Sequence, residues 1–353
     1  VPRSEVDPSI TWDMTLLYPS DEAFYAELEK LKKEMKAFKE KYENQLGDLE
    51  VLDEAIRKYE AIELAVYRAS HYAELPMTVD RLNPKVVENA TAFEAVSVSY
   101  AENMSFVMTE LISLDEAFLN QFVAEKRPDL AYFVEKVIRQ KKHTLSKDAE
   151  QVLSNLSSLP SFYQLYEVTK HEDMQFESFE ANGKTLENSF VLYENLHEMD
   201  PDKEVRRAAA KSFYKTLNAY KNTVANEYIS QLKKEKMMAT MRGYDSVIDY
   251  LLDEQDGDRE LYDRQIRMLM TDLAPHMQRY IKLLAKEHGI SDMQFMDAKI
   301  NLDPEFEVDM TIEESREYLK KALGILGEDY KAMIDESYDK RWTDFPQNIG
   351  KST

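Results

Sequence analysis

No cysteine occurs in the 353-residue chain, which removes disulfides, thiolate nucleophiles and cysteine-based metal centres together. Glycine is scarce as well: there are eight, and none forms a dinucleotide-binding loop or a G-x-S-x-G nucleophile turn. No apolar run reaches the roughly 18 residues a membrane span requires, and the opening VPRSEVDPSITWD has no apolar signal core, so a cytoplasmic address is expected. Positive charge is also in short supply. Against 67 Asp and Glu stand 45 Lys and Arg, and the net charge of −22 repels phosphate backbones and anionic lipid, so neither nucleic acid nor membrane is an expected partner.

What the chain does have points to helices. Hydrophobic residues make up 43%, enough for a large core, and abundant Glu, Lys, Leu, Ala and Met lose little rotamer freedom in a helix. Apolar residues recur at three- and four-residue spacing in Phe24, Leu28, Leu31, Met35 and Phe38, and again in Ile56, Tyr59, Ile62, Val66 and Tyr67. Caps at Ser20, before Asp21 and Glu22, and at Asn83, before Pro84, predict helices starting near 20, 52 and 84. Short breaks at Gly47-Asp48 and Leu75-Pro76 make these an antiparallel set. Asp200-Pro201-Asp202 starts a long helix with Phe213, Leu217, Tyr220, Val224, Tyr228 and Leu232 on one face, ending near Met241 with Gly243 suited to a left-handed cap. Further helices are expected over about 258–287, from a capping box at Thr311–Glu314, and over about 328–340.

Within 174–191, MQFESFEANGKTLENSFV, partial alternation around Asn182-Gly183 predicts a small hairpin, a lid or junction between subdomains, with substrate contact as the alternative role. A domain boundary is placed near residue 195. The expected fold is mainly α, in multi-helix lobes with one β-hairpin.

Residue chemistry yields no active site. The His-Glu pairs at His171 and His197 would need a second histidine to make H-E-x-x-H, but Gln175 and Pro201 stand there. His71, His143, His276 and His288 have no histidine one turn away and are expected at the surface or core edge. Near the end, Gly350-Lys351-Ser352 matches the closing half of a phosphate-binding loop. The loop's first glycine is replaced by Phe345, and only Thr353 follows where a helix is needed. Just before it, Arg341-Trp342-Thr343-Asp344-Phe345 reads as the approach to a buried strand.

Trp12-Asp13-Met14-Thr15-Leu16-Leu17-Tyr18-Pro19-Ser20 resembles the amino-terminal signature of the oligoendopeptidase F family of zinc peptidases, relatives of thimet oligopeptidase. Asp200–Arg206, Ala239–Ser246, Tyr318–Tyr330 and Arg341–Thr353 resemble further family stretches in the same order. The resemblance implies a zincin-type oligopeptidase whose zinc-bound water hydrolyses internal bonds of short peptides, with H-E-x-x-H and a glutamate ligand lying beyond Thr353. On that basis residues 1–195 are an amino-terminal helical lobe and 196–353 the first part of the catalytic lobe. The chain alone is expected to bind no zinc and to be inactive, its partner being the missing carboxy-terminal catalytic segment. No catalytic or metal residue carries over. The resemblance marks Arg242, Gly243 and Tyr244 as scaffold at a helix junction, and Lys351 and Ser352 as near the cleft. A standalone helical peptide-binding or chaperone-like module, or a structural helical scaffold, is the alternative.

Overall fold

The computed structural model describes every residue except Leu82, Ser157, Ser158, Glu305, Glu307, Val308, Ile349, Gly350, Ser352 and Thr353, and leaves undescribed the side chains of Lys147, Gln151, Ser154 and Asn155. Helices account for 73% of the chain, beside one two-stranded antiparallel sheet among the described residues.

Three 3₁₀ turns over residues 3–16 lead to α1 (Asp21–Tyr42), α2 (Leu49–Val79) and α3 (Pro84–Met104), which pack on one another. Shorter helices follow as α4 (Phe106–Ser113), α5 (Glu116–Glu125) and α6 (Ala131–Lys141). Next come α7 (Lys147–Leu156), α8 (Phe162–Val168), a π-helical turn at Thr169–Asp173, and the hairpin strands β1 (Phe179–Ala181) and β2 (Lys184–Leu186). Then come α9 (Phe190–Asn195), the long α10 (Lys203–Met241), α11 (Val247–Glu254), α12 (Arg259–Met268) and α13 (Ala274–Glu287), with a π-helical turn joining the last two. The chain closes with α14 (Ile312–Leu323) and α15 (Glu328–Asp339). These elements group into two units: residues 1–142 with 309–353, and residues 143–308. The breaks between these groupings fall after residue 142 and after residue 308.

In the first unit the caps set the helix starts. Ser20 Oγ accepts the Ala23 amide at 3.3 Å, Asp48 accepts from Glu50 and Val51, and Asn83 accepts from Lys85 ahead of Pro84. Phe24, Leu28, Leu31, Met35 and Phe38 are all buried, as their spacing predicts, against Leu52, Ile56, Ile62, Phe93 and Val96. Tyr67 departs from that pattern and is exposed. Pro76 does not break α2, which runs on to Val79. A proline costs a helix the bond its own nitrogen would donate, but its carbonyl still accepts, here from Asp80 at 2.9 Å in the final turn. Residues 342–348 are irregular rather than a strand.

The second unit is organised by the amino-terminal half of α10. Asp202 caps it, and Val205, Ala209, Ala210 and Phe213 are buried. Phe213 stacks on Tyr193 at 4.2 Å and Phe176 at 5.2 Å and meets Phe190 edge-on. The hairpin pairs Phe179 with Leu186 and Ala181 with Lys184, and Asn182 and Gly183 take φ of 52° and 72° in its turn. That turn sits on the start of α10 through Asn182 N to Glu204 and Asn182 Nδ2 to Asp202. Farther along α10 the stripe leaves the core, and Tyr228 and Leu232 are exposed.

Candidate functional site

A zinc centre needs neutral imidazoles and carboxylates converging on one point. Among the described residues no group of three or more His, Asp or Glu could hold a metal ion. The histidines are engaged singly. His197 is buried in a 3₁₀ turn and its Nε2 lies 2.9 Å from the Glu187 carbonyl, while His171 faces Glu167 at 3.3 Å. His71, His143 and His288 each point a ring nitrogen at a backbone carbonyl, and His276 lies beside Arg279.

Arg242, Gly243 and Tyr244 form the end of α10. Gly243 takes φ of +75°, which lets the Tyr244 amide reach back to Ala239 O at 2.9 Å and close the last turn. The Arg242 guanidinium meets both carboxylate oxygens of Glu150, at 2.8 and 3.0 Å, and also donates to His143 O at 3.0 Å. In return His143 Nδ1 lies 2.8 Å from Arg242 O, and its ring stacks on Tyr244 at 3.7 Å and 12°. Tyr244 Oη donates to Asp253 at 2.6 Å. Arg242 holds the Glu150 carboxyl below its usual range, and burial, with Asp253 beside it, pushes the Tyr244 phenol up. The cluster ties α7, α10 and α11 together, with the Arg242 guanidinium paired to the Glu150 carboxylate and the Tyr244 phenol bonded to Asp253. The resemblance singled out Arg242, Gly243 and Tyr244, while their partners His143, Glu150 and Asp253 carry no local pattern that would mark them.

Lys351 is also engaged. Its ammonium donates to Asp344 O and Pro346 O at 2.8 Å and to Asp344 Oδ1 at 2.9 Å. Gly350 and Ser352 lie outside the described residues. The side chain of Asp344, which sequence reading passed over as a site residue, is almost wholly buried and also receives Arg3.

Residues 110–176 match the family model described as Oligopeptidase F, and residues 196–353 the model described as Peptidase family M3. The chain belongs to the oligoendopeptidase F family. Oligopeptidase PepF of Bacillus subtilis (strain 168) is 28% identical over 354 residues, taking in 99% of this chain and 52% of its own length. An oligoendopeptidase F homolog of Lactococcus lactis subsp. lactis (strain IL1403) is 26% identical, across 99% of this chain and 58% of its own. The chain thus spans little more than half the length of the curated oligoendopeptidase F relatives it matches. The crystal structure of oligoendopeptidase-F from Enterococcus faecium shares the fold, with a TM-score of 0.68 and 21% identity over 90% of this chain and 61% of that one.

Proposed function

We propose that residues 1–353 are the amino-terminal part of a zinc-dependent oligoendopeptidase that hydrolyses internal bonds of short peptides, and that the zinc ligands come from a segment outside these residues. The observation that carries this reading is the double family match, at 110–176 and 196–353, with 99% of the chain aligned to relatives about twice its length. In this reading the helices contribute walls, Arg242, Gly243 and Tyr244 serve as scaffold, and Lys351 lies towards the cleft. The lobe boundary near residue 195 is part of the proposal and falls between the two family matches. A cytoplasmic location fits a chain in which no described helix is long and apolar enough to cross a membrane.

The test is zinc content after dialysis and cleavage of a quenched fluorescent peptide, for residues 1–353 alone and joined to their native continuation. The short form is expected to hold no stoichiometric zinc and to leave the peptide intact, and the joined form to gain both properties. Zinc-dependent turnover by residues 1–353 alone would overturn the division of labour, and a continuation without a metal-binding motif would overturn the peptidase reading. Apolar side chains exposed in the π-helical turn between α12 and α13, including Leu269, Met270 and Leu273, favour one second reading, a standalone peptide-binding module. Peptide binding by an inactive, complete protein would support it.

A further inference from the structure

Asp344 is a buried carboxylate shared by cations from opposite ends of the chain. Arg3 donates Nη1 to Oδ1 at 2.9 Å and Nη2 to Oδ2 at 2.5 Å, and Lys351 Nζ reaches Oδ1 at 2.9 Å. The side chain of Asp344 is 1% exposed, against 19% for Arg3 and 16% for Lys351. Around this anchor the two segments lie side by side. The Phe345 amide donates to Ile10 O at 3.1 Å, the Asp13 amide to Arg341 O at 3.2 Å, and Arg341 pairs with Asp13 at 2.9 Å. Arg3 also donates to Asn348 Oδ1 at 3.1 Å, and Asn348 Nδ2 reaches Val79 O at the end of α2.

The hold is strongly polar. Within residues 3–13 only Thr11 is buried, and the apolar Val6, Ile10 and Trp12 are half-buried, so no fully buried apolar side chain anchors these turns. Directional bonds to a desolvated carboxylate do that work, and a carboxylate left short of a partner in such a site is costly. We propose that residues 3–13 are a releasable ionic clamp on residues 341–348, with Asp344 as its anchor, so that docking of the amino-terminal turns decides whether that segment keeps a fixed path. The clamp gives a physical role to the Trp12-Asp13 signature. Asp13 caps the turn at Met14–Leu16 and holds Arg341, and the Trp12 amide faces Asp344 Oδ2 at 3.5 Å. It is independent of the peptidase reading, since it concerns the path of the chain and not the reaction.

The test is hydrogen exchange on the full chain, read by mass spectrometry in the peptides covering Trp12, Asp13 and Phe345. Arg3→Ala and Asp344→Asn are each expected to speed exchange at all three amides by roughly ten-fold or more, while amides within α1 exchange as before. Arg3→Lys keeps the charge but loses the fork and is expected to fall between. The double variant should exchange no faster than the faster single variant, because both remove the same contact. Wild-type exchange in Arg3→Ala would overturn the clamp. So would acceleration spread evenly through α1, α2 and α3, which would make the contact a general stabiliser; Arg3→Lys settles this if Asp344→Asn does not fold.

Discussion

Gly243 and Arg242 are neighbours at the end of α10 yet are held by different physics. Apart from its chain neighbours, no atom lies within 4 Å of where a Gly243 Cβ would stand, so a side chain there would meet no tertiary clash and would strain only the +75° backbone. Gly243→Ala is expected to cost about 1 kcal/mol, with Gly243→Asn milder because asparagine tolerates the left-handed region. Arg242 has the opposite dependence, since its backbone is ordinary and its planar fork is matched to Glu150. Arg242→Lys keeps the charge but cannot hold both oxygens and the His143 carbonyl, and should cost about 1–2 kcal/mol. Urea unfolding of these variants checks both claims. A Gly243→Ala protein as stable as wild type would show that the turn relaxes out of its positive φ.

Between elements, the joint most exposed to failure is that between α10 and residues 292–300. Asp297 is fully buried. Arg206 reaches its Oδ1 at 3.0 Å, Arg207 its Oδ2 at 2.6 Å, and the Gln294 amide its Oδ2 at 3.1 Å. Burial works to raise its pKa, but the two guanidinium groups and the amide outweigh it, and the net shift is downward. A lowered carboxylate contributes stability that is complete above its unfolded value of about 4 and is lost as pH falls through the folded value. Asp297→Asn should therefore cost about 3–5 kcal/mol near pH 7, and its gap from wild type should narrow below about pH 4. Denaturant titration at several pH values measures this, and a gap that stays constant down to pH 2 would sink the assignment. Helix starts at Asp21, Pro84 and Ile312 and the turn at Asn182-Gly183 were legible because capping and turn chemistry are local. The Arg206–Asp297 joint, the Glu150–Arg242 fork and the Arg3–Asp344 pair were not legible. Each joins residues about 90 to 340 positions apart, and no local pattern distinguishes those acids among 67.

On the scale of the whole molecule, two opposing terms govern association. Within the second unit, α12, α13 and the π-helical turn between them expose Leu261, Ile266, Leu269, Met270, Leu273 and Met277, with Met270 at 71%, an apolar face that in water favours contact with another surface. Against this stands a net charge of −22, which repels a second copy at long range. Screening decides which prevails, because the Debye length falls from about 30 Å at 0.01 M salt to about 8 Å at 0.15 M while burial of apolar area is little changed. Residues 1–353 are therefore expected to sediment as a monomer at low salt, to self-associate as salt rises, and to bind an environment-sensitive hydrophobic dye under both conditions. Met270→Lys combined with Leu273→Lys should suppress both dye binding and association while moving the unfolding midpoint little, since both side chains are exposed. Association that weakened with salt would make ion pairing the driving term, and a dye-silent monomer at every salt concentration would show that this face is covered within the protein itself.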